Sequence, residues 1–75
     1  MKACILIKTE AGMHGSVLKE TLKFRGISFA FSALGRTDIV AKVEVASLKE
    51  LTELVMNIGR TPGVTATETL IALEG

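Results

Sequence analysis

The chain predicts an α+β fold of ferredoxin-like order (strand-helix-strand-strand-helix-strand), a four-stranded antiparallel sheet with two helices on one face, as in dimeric α+β barrels. Three observations predict it. Two segments place apolar residues at helical spacing, four short segments alternate or are apolar on both faces, and each helix returns to a strand through a Gly-aliphatic junction, Gly26-Ile27 and Gly63-Val64. Right-handed crossovers in the two β-α-β halves bring both helices to the same side of the sheet.

The first strand spans Lys2 to Lys8, with Ala3, Ile5 and Ile7 on one face and Cys4 and Leu6 on the other, so both faces are apolar. A loop with Gly12 and Gly15 leads into a helix expected to run to about Arg25. Val17, Leu18, Thr21 and Leu22 form its buried stripe, Ser16 or Gly12 its N-cap, and Gly26 its C′ residue. Ile27 to Leu34 reads as the second strand, with Ile27, Phe29, Phe31 and Ala33 in one row. Leu34-Gly35-Arg36-Thr37 reads as a tight type II′ hairpin, and Asp38 to Val45 as the third strand.

The second helix has the strongest local signal. Ser47 and Glu50 make a capping box, Leu48, Leu51, Leu54, Val55 and Ile58 the buried stripe, and Gly59 the end. Thr61-Pro62-Gly63-Val64 has the form of a type II turn. Val64 to Leu73 is the last strand, with Thr65, Thr67 and Thr69 in a row that continues into Ile71 and Leu73.

The 75 residues make one domain, 1–75, and a chain of this length buries only ~60% of its unfolded surface. With one cysteine (Cys4) and one histidine (His14), neither a disulfide nor a metal set is available to reinforce it, which leaves self-association. Apolar residues on the helix-free side of the first and last strands point the same way, since helices cover only one face. No apolar run approaches the ~20 residues of a membrane span, and Met1-Lys2-Ala3-Cys4-Ile5 is no convincing secretory start; a cytoplasmic protein is expected. A net charge of +1, with cations dispersed among Glu, gives no electrostatic footprint for nucleic acid.

Two motifs at the right separation carry a resemblance: Leu34-Gly35-Arg36-Thr37-Asp38-Ile39-Val40 and Thr61-Pro62-Gly63-Val64-Thr65-Ala66-Thr67-Glu68-Thr69-Leu70, with the Ser47-capped helix between them. Together they resemble the effector-binding domain, or RAM domain, of the leucine-responsive/AsnC family of transcription regulators. The resemblance implies a stand-alone form without the family's helix-turn-helix. It also implies dimers that assemble into rings, a small effector such as an amino acid, and action on a full-length regulator without direct DNA binding. Two positions depart from the family pattern. Thr37 stands where an aromatic residue is common, and Ala11-Gly12-Met13-His14-Gly15 replaces a Pro-Gly loop.

A free amino acid needs an acceptor for its ammonium and donors for its carboxylate. Asp38 is the candidate for the first; Gly35, by allowing close backbone approach, and the hydroxyls of Thr37, Thr65 and Thr67 are candidates for the rest. The plain alternative is an Asp that ties off its turn and Thr residues that suit a strand. No catalytic residue, metal site or cofactor is expected. His14 reads as a solvated loop residue, Cys4 as a small packed hydrophobe, Arg36 as a solvated hairpin tip with contact to a ligand carboxylate as the lesser alternative, and Phe29 and Phe31 as core or interface residues sharing the row of Ile27. Two competing functions, a monooxygenase-like barrel enzyme and an ACT-type amino-acid-binding domain, share the element order but lack the motif pair.

Overall fold

Apolar alternation sets the layers. In the computed structural model, which describes residues 1–74, the elements are β1 (Lys2–Thr9), α1 (His14–Thr21), β2 (Ile27–Ser32), β3 (Ile39–Glu44), α2 (Leu48–Gly59) and β4 (Val64–Ile71). The sheet order is β2-β3-β1-β4 with every neighbouring pair antiparallel, the predicted βαββαβ arrangement. Ala3, Ile5 and Ile7 of β1 and Ile39, Ala41 and Val43 of β3 point to the helices. There they meet Val17 of α1 and Leu51, Leu54 and Ile58 of α2 in one buried cluster. Alternation sends Cys4, Leu6, Val40 and Lys42 to the opposite side, which no helix covers.

The two halves of the chain close their helix-to-strand junctions in the same way. Ile27 N–H donates to Phe24 O (3.3 Å) and Val64 N–H to Thr61 O (3.1 Å), each spanning four residues with glycine third. Gly26 and Gly63 hold φ at +100° and +98°, the positive region that a type II turn requires at that position. Each glycine carbonyl then accepts an amide from a neighbouring strand or its end, Glu44 N–H on Gly26 O and Glu10 N–H on Gly63 O, both at 2.8 Å.

Several boundaries differ from those the sequence suggests. Helix α1 stops at Thr21, because Lys23 N–H and Phe24 N–H turn back to Glu20 O and Thr21 O in tighter i→i−3 bonds. Leu22 is therefore exposed, and Phe24 packs on the core instead. Neither Ser16 nor Gly12 caps this helix. Met13 occupies the N-cap without a side-chain bond, while the Ser16 hydroxyl donates to Met13 O at 3.1 Å.

At α2 the Ser47 hydroxyl accepts Glu50 N–H (3.2 Å), as a capping box demands, but the Glu50 carboxylate accepts the amide of Ala46, one residue further back. Leu48 is exposed rather than buried. It is the first helical residue, and helical side chains lean toward the N-terminus, which carries it past the core. The last strand ends at Ile71, and Leu73 beyond it is exposed.

Two irregularities decide which side chains reach the uncovered face. In β2, Ile27 pairs with Val43 and Phe29 with Lys42, so two steps on β2 match one on β3, the signature of a bulge. The bulge puts Ile27 on the helix side and turns Phe29 and Phe31 to the open side, which separates residues expected to share a row. In β4 the shift lies between Lys8 and Thr9, leaving Thr65 as the extra residue. Thr67 and Thr69 lie opposite Ile7 and Ile5, on the helix-covered side, where both are half-buried.

Thr21, fully buried in α1, has no hydrogen-bond partner for its hydroxyl among the described residues. A buried unpaired hydroxyl costs about 1–3 kcal/mol, and valine has nearly the same shape. Thr21→Val is expected to raise stability by about 1 kcal/mol, read as a higher urea midpoint at unchanged slope. A lower midpoint would mean that the hydroxyl is satisfied in solution.

Candidate functional site

The loop Ala33–Asp38 joins β2 to β3 and is wider than a two-residue hairpin, closed by Ala33 N–H donating to Asp38 O at 2.8 Å. Gly35 sits at its tip at φ +150°, with no atom within 4 Å of where a Cβ would lie. The base of the loop is tied to the end of β1. Thr37 Oγ1 donates to Ile7 O (2.9 Å) and stands 3.3 Å from Ile39 O, while Asp38 N–H donates to Ile7 O (3.0 Å). Asp38 Oδ2 accepts Thr9 N–H at 2.7 Å and Thr9 Oγ1 at 3.3 Å, and Oδ1 has no partner among the described residues. Asp38 thus holds the loop against the sheet with one oxygen and leaves the other open.

Beside this loop lies a groove of about 510 Å³, lined by Leu6, Lys8, Arg36, Thr37, Thr67 and Glu68 among others. The register explains the assembly: Leu6 opposes Glu68 and Lys8 opposes Ala66, and the β2–β3 loop closes one wall. Of the residues singled out from sequence, Thr37 and Thr67 line the groove. Asp38 stands behind Thr37 in the loop base, Gly35 lies at the exposed tip, and Thr65 occupies the β4 bulge. Lys8 and Glu68 meet there through pairing between β1 and β4, and Arg36 arrives with the β2–β3 loop, which Thr37 and Asp38 tie to Ile7 O. Arg36 reads from sequence as a solvated tip with contact to a ligand carboxylate as the lesser alternative, and no local pattern marks the other two.

A larger cleft, about 600 Å³, lies at the other end of the molecule beside Met1, Arg25, Glu44, Glu50, Glu53 and Asn57. Two of its polar groups already serve the fold, since the Met1 ammonium donates to Val45 O (2.9 Å) and Glu50 accepts Ala46 N–H. Arg25, Glu44 and Glu53 in this cleft, like Lys8, Arg36 and Glu68 in the groove, make no ion pair among the described residues, and the groove is singled out by the Gly35–Asp38 loop beside it.

The open face of the sheet is the second candidate surface, and it shares Leu6 and Glu68 with the groove. Cross-strand pairing lays it out in two rows, Phe29-Lys42-Cys4-Leu70 and Phe31-Val40-Leu6-Glu68. Phe29 is 56% exposed, Phe31 43% and Leu70 50%, and the two phenyl rings lie 5.5 Å apart at a tilt of 55°. Six apolar side chains thus share a contiguous surface with one cation and one anion, far from the scattered single hydrophobes of an ordinary exterior. No described helix is long and apolar enough to cross a membrane.

This arrangement of elements recurs in known proteins. The chain is 35% identical over 74 residues to the HTH-type transcriptional regulator FL11 of Pyrococcus abyssi, a match covering 99% of this chain and 49% of that protein. The chain therefore spans about half the length of the curated relatives it matches. Among solved structures, TTHA0845 of Thermus thermophilus superposes with a TM-score of 0.94 at 27% identity, covering 99% of this chain and 94% of that one. AsnC of E. coli gives a TM-score of 0.91 at 26% identity over 99% of this chain and 51% of its own. The family model described as the Lrp/AsnC ligand binding domain matches residues 2–75, and the chain belongs to that family.

Proposed function

We propose that the chain is a non-catalytic regulatory module of the cytoplasm that binds a small effector, an amino acid, beside the β2–β3 loop. It would assemble through its open sheet face into dimers and rings of dimers, and act on a full-length Lrp/AsnC-type regulator rather than on DNA directly. Membership of the Lrp/AsnC ligand binding domain carries the reading, and the groove supplies chemistry that fits it. Lys8 and Arg36 offer cationic donors for a carboxylate, and the Thr37 and Thr67 hydroxyls border the same space. The open oxygen of Asp38, behind Thr37 at the loop base, is the acceptor for the ammonium, while Gly35 at the loop tip and Thr65 in the β4 bulge lie outside the groove lining. Residues of this kind on a loop held by a rigid sheet suit ligand recognition.

A calorimetric screen of the twenty amino acids is expected to find a ligand with a dissociation constant in the micromolar to millimolar range, about −8 to −4 kcal/mol. Arg36→Ala, at an exposed loop position, should weaken that binding about tenfold or more while leaving the melting temperature of the free chain nearly unchanged. Asp38→Ala should abolish it but also lower the melting temperature, because the same side chain ties down Thr9. Absence of any amino-acid binding would overturn the effector reading, and binding unaffected by both substitutions would overturn the site.

A further inference from the structure

We propose that Lys42 and Glu68 form two reciprocal ion pairs across the two-fold axis of a face-to-face dimer, and that these pairs fix how the two sheets cross and select a second copy of this chain as partner. The proposal rests on the reading that the open face pairs with another copy. Lys42 and Glu68 are the only charged residues in the two apolar rows, one in each, and both are exposed in the single chain. Glu44 shares the strand of Lys42 and Lys8 lies diagonal to Glu68, yet neither Lys42 nor Glu68 is paired among the described residues. The one ion pair among the described residues joins Lys23 to Glu20, on α1 and just beyond it.

Covering this face with a second sheet would bury both charges. An unpaired buried charge costs several kcal/mol, so a stable interface must supply each with an opposite partner. Lys42 and Glu68 are separated by two strand spacings and one two-residue step, roughly 12 Å between backbones, too far for a short direct pair within one chain. A two-fold axis can join them. An axis parallel to the strands and midway between β3 and β1 sets Lys42 on the partner's Cys4, and one perpendicular to the strands sets it on the partner's Val40. Only a diagonal axis, passing over β1 between Cys4 and Leu6, sets Lys42 on the partner's Glu68, and symmetry then makes the pair twice. That axis crosses the strands of the two sheets at roughly 70°, nearer to orthogonal than to aligned packing. Phe29, Phe31, Val40 and Leu70 surround the four charges with apolar area.

Charge exchange tests it with the full chain. Lys42→Glu and Glu68→Lys should each weaken self-association by about 10- to 100-fold, because every interface then opposes like charges twice. Mixing the two variants in equal amounts should restore association to near the wild-type affinity, as a heterodimer of one copy of each, read by sedimentation velocity and native mass spectrometry. Single variants that associate as tightly as the wild type, or a mixture no tighter than its components, would overturn the pairing while leaving the dimer in place. A wild-type chain that is monomeric at micromolar concentration would overturn both the pairing and the oligomer beneath it.

Discussion

Leu6→Lys is expected to leave the chain folded but monomeric. Leu6 lies at the middle of the open face, between Val40 on one side and Glu68 on the other. Removing an apolar side chain from an interface forfeits about 1.5–3 kcal/mol, and two-fold symmetry counts that loss twice. A total of about 3–6 kcal/mol raises the dissociation constant by at least about a hundredfold, before any cost of burying the new ammonium. The fold should survive, because the core of Ile5, Ile7, Ile39 and Val43 lies on the opposite side of the sheet. Lysine at position 6 also faces Glu68 directly across the strands, and such a pair supports the β1–β4 ladder. Light scattering across a dilution series gives the mass, and circular dichroism confirms the fold. An unchanged mass for Leu6→Lys would place the interface elsewhere.

The elements and their order were legible because each rests on local chemistry. Ser47 caps α2, Leu51, Leu54 and Ile58 recur at helical spacing, and Pro62-Gly63 makes the turn that leads into β4. Alternation in β1 and β3 also separated core from open face correctly. What alternation cannot carry is an inserted residue. The bulge at Ile27–Phe29 reverses the facing of every later residue in β2, and nothing about Ser28 as a residue announces it. The same limit applies to Thr65 in β4.

The groove was partly legible. Its loop could be found from Gly35 and Asp38, both within one short motif. Lys8, Arg36 and Glu68 come from three separate parts of the chain, and only the register of β1 against β4 brings Lys8 and Glu68 together. A site of that kind is a property of pairing, so one sequence read in order shows its pieces without their neighbourhood. The open face illustrates the converse. Apolar residues on both sides of β1 signalled a second apolar surface, but the aromatic half of that surface emerged only once the bulge had turned Phe29 and Phe31 outward.

Gly63→Ala is expected to bring the largest loss of stability of any single-methyl change in the chain. At φ +98° an alanine suffers about 1–2 kcal/mol of backbone strain. Its Cβ would also stand 2.9 Å from Met13 Cε, 3.0 Å from Met13 Cβ and 3.1 Å from Val17 Cγ2. The methionine tip can swing aside, but Met13 Cβ is fixed to the backbone at the start of α1, and Val17 is fully buried. The added methyl must therefore push α1 away from the turn, and overpacking of this kind costs about 1–3 kcal/mol. The sum, about 2–5 kcal/mol, is a large share of the ~4–11 kcal/mol available to a chain of this length and should lower the melting temperature by at least about 10 °C. Gly26→Ala meets Val45 Cγ1 at 2.9 Å at the equivalent turn and should follow it, though the half-buried Val45 side chain has more room to rotate. Gly15 in α1 has nothing within 4 Å of its would-be Cβ and no positive φ, so Gly15→Ala should instead raise stability by about 0.5–1 kcal/mol. Differential scanning calorimetry on the three variants checks the order. Equal losses at positions 63 and 15 would mean that neither the turn geometry nor the closeness of α1 to β4 governs the cost.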